Sequence, residues 1–393
     1  MFDCCEHILK SYESFKLSGL SGGSNGSRFK ISAGFTATFG NQLFPTIAFF
    51  HFRGRLSPFS SSAYKQLRGV EHEHNSQTSI NTNIWDCRDE AMAITHLRHV
   101  GIFSPDLSKQ REFYGTIWGL DQIAEESDAI YFRGASPEHH LLSLHSAKRC
   151  GLHHIAFGMS DEEDVDRTAR ELQSRGIRLV SEPQPLNEPG GGYGFRFIDL
   201  EGRCIELSVG VVQHQGGWET KGVQPHSICH CHVVLNTAQI DAMIEFYTKI
   251  LGFRISDWSE HQMVFLRCNT KHHSIALSHA PHVFLNHIAY LVSNVDEVMR
   301  GMVNMRKNGF EPGWGPGRHG PGNNIFCYFK EPVGYVVEYT SDIDYIQDEA
   351  SHQPKVWPRT PELIDRWGTA GPPGADIRHA MEGEPDPGWQ PVE

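Results

Sequence analysis

The sequence predicts an α+β fold of four strand–helix–strands (βαβββ) modules, paired into two barrel-like halves. Three observations predict it: β-rich runs, amphipathic segments that close near a glycine, and an internal repeat covering most of the chain. The first clear strand is Ile94–Phe103. The segment Glu162–Ser174, closed by Gly176, reads as a helix. Further on, Ala238–Ile250 spaces Ile240, Ile244, Tyr247 and Leu251 helically, and Val295–Asn308 does the same with Val298, Met302 and Met305 before Gly309. Pro332 and Gly334 punctuate the runs Ile325–Lys330 and Tyr335–Thr340, which therefore read as a hairpin.

The repeat is explicit. His96-Leu-Arg-His99, Glu112-Phe-Tyr114 and Trp118-Gly119-Leu120 are answered by His230-Cys-His232, Glu245-Phe-Tyr247 and Leu251-Gly252-Phe253. Glu138-His139-His140 returns as Lys271-His272-His273, and His153-His154 as Asn286-His287. The offset is 133 through the histidines (232 − 99) and 132 at the end (338 − 206), where Gly202 and Glu206 match Gly334 and Glu338. One deletion across so many matched features indicates tandem duplication.

Composition narrows the class. With 393 residues, 39% hydrophobic and 21% charged, the chain can form several well-cored domains. A net charge of −12 argues against nucleic acid or an anionic membrane as the main partner. The most apolar window, Leu43–Phe52, falls short of the roughly eighteen residues a span requires and contains Pro45 and His51. Nine scattered cysteines do not form a disulfide framework, so a reducing, cytoplasmic setting is expected. Histidine is abundant, at 24 copies, often in pairs.

Four regions follow. Residues 1–91 are expected to be an extension without regular structure: Ser14 to Val70 carries seven Lys/Arg and no Asp or Glu. A mitochondrial transit segment is the alternative, weakened by Asp3, Glu6 and Glu13. Residues 92–213 form the first module pair and 226–345 the second. Residues 346–393, rich in Pro, Gly and Trp, are expected to be a tail or lid.

Chemistry concentrates in the second half. The hairpin brings His319, Tyr328 and Glu338 together across nineteen residues (338 − 319). His232, His287 and Glu338 lie on three separate strands. Two imidazoles and one carboxylate are the protein half of a facial triad, which leaves open positions on a metal. Strict alternation would place His230 and His232 on one strand face and Cys229 and Cys231 on the other, against a Cys/His zinc knot.

The run Gly317-Arg-His319, Tyr328, Glu331-Pro332, Gly334, Glu338 resembles the signature of the type I extradiol ring-cleaving dioxygenases of the vicinal oxygen chelate superfamily, which also contains glyoxalase I. His232, fourteen residues before Phe246-Tyr247, and the runs Cys268-Asn269, His272-His273-Ser274 and Asn286-His287 match as well. Two departures are Cys327, where the family usually has an aliphatic residue or Phe, and Gly322, where its biphenyl-diol cleavers often have Asp. The resemblance covers about 92–345 as architecture and 226–340 as chemistry.

The resemblance implies Fe(II), with Mn(II) as an alternative, held by His232, His287 and Glu338. It implies His273 beside the dioxygen site, and His319 and Tyr328 on the hydroxyls of a catechol, which the enzyme would cleave next to the diol. A homo-oligomer is expected. The first half keeps His99, His154 and Glu206 but has Arg196 at the position of Tyr328 and no His near Leu186–Asn187, so it is read as structural, with a second metal site as the open alternative. Two other functions stay open: a metal-dependent, non-oxidative glyoxalase-like isomerase or lyase, and a silent binder of aromatic ligands.

Overall fold

In the computed structural model the described residues are 34–39, 42–47, 93–214, 227 and 229–389. The chain divides into two units, Met1–Ile80 and Asn81–Glu393. In the first, strands β1 (Gly34–Phe39) and β2 (Gln42–Ile47) pair antiparallel. Otherwise the expectation for residues 1–91 falls outside the described residues.

The second unit contains the four modules. The first runs β3 (Ile94–Ser104), helix α1 (Leu107–Glu112), then β4 (Asp121–Glu125), β5 (Ala129–Arg133) and β6 (Leu142–Ser146). The second is β7 (Gly151–Met159), α2 (Glu162–Ser174), β8 (Leu179–Pro185), β9 (Tyr193–Ile198) and β10 (Cys204–Val209). The third is β11 (Cys229–Thr237), α3 (Ile240–Glu245), β12 (Arg254–Ser259), β13 (Met263–Arg267) and β14 (Ile275–His279). The fourth is β15 (Phe284–Leu291), α4 (Val295–Lys307), β16 (Trp314–Arg318), β17 (Ile325–Lys330) and β18 (Val336–Ser341).

Sheet order proves the duplication. The first half is β4-β5-β6-β3-β7-β10-β9-β8 and the second β12-β13-β14-β11-β15-β18-β17-β16, the same order with the corresponding strands exchanged. Helices α2 and α4 begin on Asp161 and Asn294, whose side chains accept the backbone N–H of Asp164 and Glu297. Each buries one face, Val165, Ala169 and Leu172 in α2 and Val298, Met302 and Met305 in α4. The expected helix over 238–250 is shorter: α3 passes into a single π turn, Phe246–Ile250, as α1 does into Phe113–Trp118.

The halves share one core. Trp118 stacks on Tyr339 with ring centroids 3.6 Å apart, and the Tyr339 hydroxyl donates to the Trp118 carbonyl at 2.7 Å. All six described cysteines are free. No helix among the described residues is long and apolar enough to cross a membrane.

The C-terminal region is more than a loose tail. Strand β19 (Lys355–Trp357) adds to β12 in parallel, followed by α5 (Pro361–Ile364) and α6 (Ala375–Glu382). Ile377 of α6 is buried against Phe326, Tyr328 and Val336.

Candidate metal centre

Three neighbouring strands of the second half create the site. Glu338 on β18 lies across from Ala289 on β15, and Ala289 across from His232 on β11. Side chains in such a row share a sheet face, and His287, two residues before Ala289, shares it too. Ala289 is the small residue between them, which leaves an open centre for three longer side chains. His232 and His287 approach Glu338 Oε2 at 3.2 and 3.4 Å, and their Nε2 atoms are 3.4 Å apart.

These separations suit a divalent ion. Donors in adjacent positions on a metal with bonds of about 2.1 Å lie roughly 3 Å apart. The chemistry of the donors fits as well. His287 Nδ1 donates to Asn286 Oδ1 at 2.7 Å, which leaves the Nε2 lone pair facing the centre. Glu338 Oε2 is buried and faces only the two imidazoles, so its charge is balanced either by their protons or by a cation held between the three side chains. Its other oxygen takes a long contact of 3.4 Å from Asn324 Nδ2. Burial would raise the Glu338 carboxyl, but His232 and His287 override it and hold the pKa down to about 2. Burial lowers His287 despite Glu338, which favours the neutral form that a metal ligand requires.

Two hydrogen-bonded groups of side chains flank the triad. On one side the Tyr328 hydroxyl and His319 Nε2 are 3.0 Å apart, while His319 Nδ1 lies 3.1 Å from the Ile364 carbonyl. A carbonyl only accepts, so Nδ1 carries the hydrogen and the neutral ring accepts from Tyr328 at Nε2. Burial brings His319 to about 4 and drives Tyr328 well above its ordinary range, with Glu338 reinforcing the latter. Trp314 stacks on Tyr328 at 5.1 Å.

On the other side His273 sits 4.2 Å from His232, ring to ring. Its Nδ1 meets His272 Nδ1 at 3.0 Å, and His272 Nε2 lies 3.1 Å from Asp257 Oδ2. With Asp257 ionised, His272 donates to it, His273 donates to His272, and the His273 Nε2 lone pair is left free. Burial, then His232, holds His273 well below its usual value.

Both sequence departures have a physical reason. Gly322 has φ 72°, and a Cβ there would lie 3.0 Å from His272 Nδ1 and 3.2 Å from His273 Cε1. The open loop therefore makes room for the histidine pair. Cys327 points the other way, fully buried in the core.

The site opens into a cavity of about 410 Å³, lined by Trp314, Phe265, Met263, Leu363 and Trp357 beside the histidines. Glu382, exposed on α6, is the one carboxylate among its lining residues. Asn324, Asp257 and the hydrogen bonds that the tail makes to the site were not foreseen. A lone acid in the otherwise β-rich run Ile255–Ser259 was the available signal for Asp257; Asn324 gave none.

One expectation needs correction. His230 and His232 do not share a face, because a bulge at Cys231 pairs His230 with Tyr290 and His232 with Ala289. His230 turns toward the first half, where its Nε2 bonds the Leu141 carbonyl at 2.6 Å.

In the first half His99, His154 and Glu206 also converge, joined by Glu188. There Arg196 bonds Glu206 Oε2 through Nε at 2.9 Å, and also pairs with Glu188.

Comparison with known proteins agrees with this architecture. Residues 96–207 and 231–339 both match the family model for the Glyoxalase/Bleomycin resistance protein/Dioxygenase superfamily. Metapyrocatechase 2 of Cupriavidus necator is 27% identical over 275 residues, 65% of this chain and 83% of that protein. The manganese-dependent 2,3-dihydroxybiphenyl 1,2-dioxygenase of Geobacillus genomosp. 3 is 27% identical over 289 residues, 67% of this chain and 90% of that protein. Among solved structures, the Mn(II)-bound glyoxalase from Novosphingobium aromaticivorans superposes with a TM-score of 0.71 at 35% identity, covering 76% of this chain and 97% of that one. The chain belongs to this superfamily, in its type I extradiol dioxygenase branch.

Proposed function

We propose that the protein is an extradiol dioxygenase that opens a catechol-type ring beside its hydroxyls, using Fe(II) or Mn(II) held by His232, His287 and Glu338. The observation that carries this reading is the pairing of that triad with His273 on one flank and His319–Tyr328 on the other, with His232, His287, His273, His319 and Tyr328 all lining one cavity. When bound, the ion supplies Lewis acidity and a common meeting point for the diol and dioxygen.

The chain's own groups manage the protons. His319 Nε2, held by the Ile364 carbonyl at Nδ1, accepts from Tyr328 and orients that hydroxyl toward the diol. His273, through its free Nε2, takes a proton from one substrate hydroxyl and returns it later to the ring-opened product. The apolar wall of Phe265, Met263 and Leu363 holds the ring and keeps water out.

Aerobic addition of catechol or 2,3-dihydroxybiphenyl to protein loaded anaerobically with Fe(II) or Mn(II) is expected to give a yellow product, with one O2 consumed per turnover. Neither colour nor O2 uptake with either metal and either diol would sink the reading. The likeness to a Mn(II)-bound glyoxalase favours a second function, an isomerase that consumes no O2. That chemistry requires a base for a carbon-bound proton, and the one carboxylate among the cavity's described lining residues, Glu382, is exposed. Turnover of a thiol adduct of an α-ketoaldehyde without O2 would favour the isomerase.

A further inference from the structure

We propose that the first half retains a complete divalent-cation site whose place is taken by the guanidinium of Arg196. This is independent of the reaction assigned to the second half. Position for position, His99, His154 and Glu206 reproduce His232, His287 and Glu338 in the same sheet order. Glu188 adds a fourth donor, so two imidazoles and two carboxylates have ligand atoms within 4.8 Å of one another.

Arg196 stands directly across the β9–β10 ladder from Glu206, the register that Tyr328 holds against Glu338. Its guanidinium reaches every part of the would-be site except His99. Nε and the terminal NH2 lie 2.9 and 2.7 Å from Glu206 Oε2, the NH2 also pairs with Glu188, and it is 3.4 Å from His154 Nε2. The fully buried Glu206 thus has a side-chain cation, where Glu338 Oε2 faces the two imidazoles alone. The two imidazoles have closed on each other: His99 Nε2 and His154 Nε2 are 2.6 Å apart, against 3.4 Å for the second-half pair. A planar, permanently charged side chain matches a carboxylate pair well enough to replace a metal as counter-charge.

The consequence is one bound metal per wild-type chain and two once the guanidinium is gone. N/O donor sets of this kind suit Mn(II) or Co(II), so those ions are the probes. Full-length wild type, R196M and R196M/H154A would be equilibrated with Mn(II) or Co(II), desalted and analysed for metal and for folding by circular dichroism. The expected counts are one, two and one per chain. Two ions in wild type, falling to one in H154A, would overturn the proposal, as would a folded R196M that still holds one. If R196M does not fold, R196Y, which copies the second half, takes its place. Failure of both to fold with millimolar Mn(II) or Co(II) present also overturns it, because a filled site must stabilise what the empty one cannot.

Discussion

His319 Nδ1 lies 3.1 Å from the Ile364 carbonyl, so a residue of the C-terminal tail decides which ring nitrogen of His319 faces Tyr328. The same tail reaches two other site histidines. Lys355 N and Trp357 Nε1 donate to Asp257, which holds His272 and through it His273. The Met381 carbonyl accepts from Asn236, whose Oδ1 accepts from Asn286, the residue that orients His287. Deleting residues 347–393 is therefore expected to reduce turnover more than 100-fold and to weaken metal retention. Metal content and kcat of the truncated protein check this; unchanged kcat would show that the tail only covers the cavity.

Asp257 makes the hydrogen-bond chain to His273 directional. In D257N an amide replaces the carboxylate, and the His272 tautomer is no longer fixed. A 10- to 100-fold fall in kcat, roughly the cost of losing an orienting partner, is expected with metal content unchanged. Because Asp257 does not line the cavity, KM should hold. A rise in KM at constant kcat would mean that the substitution had disturbed the wall, through Trp357, and not the His273 tautomer.

The two halves should respond oppositely to equivalent substitutions. His287→Ala or Glu338→Gln is expected to abolish metal binding and turnover with a modest change in stability. Glu206→Gln removes one of the two carboxylates on Arg196, 2.7 Å away, and leaves Glu188 as the remaining counter-charge of a half-buried guanidinium, a loss of about 1.5–3 kcal/mol. Metal and kcat per folded molecule should be retained. Urea melts alongside metal analysis separate the two effects; loss of turnover by a folded E206Q would show that the site assignment is wrong.

Much of this arrangement was legible in the sequence because it depends on local periodicity and on the repeat. Helix Glu162–Ser174 and strand Ile325–Lys330 come out with the expected bounds, since amphipathic spacing and turn residues delimit them. The convergence of His232, His287 and Glu338 was legible because duplication gave each of them a counterpart. The bulge at Cys231 was not, because an extra residue in one strand is set by its partner's register. Nor was the tail's role: Ile364 and Met381 act through backbone carbonyls, which have no sequence signature. Glu188 was missed for a related reason, as it reaches Arg196 from the loop before β9 and not from a strand.

Glu331 gives the fold a pH dependence separate from the site. It closes the β17–β18 turn, where Oε1 accepts Tyr335 N at 2.8 Å and Oε2 accepts Val333 N at 3.3 Å and Gln110 Nε2 at 3.2 Å. Burial nonetheless dominates and raises its carboxyl to about 7. A carboxyl with a folded pKa above its unfolded value holds its proton more tightly in the native state. Its contribution is fully present below the unfolded value near 4.5 and is lost as pH rises through about 7. Stability should therefore fall by roughly 2–4 kcal/mol from this group between those values. Glu331→Gln should flatten that slope, and its amide NH2 can donate to Gln110 Oε1, which is buried without a partner. Thermal melts of both proteins from pH 5 to 8 test this, and parallel curves would show that Glu331 is already ionised in the fold.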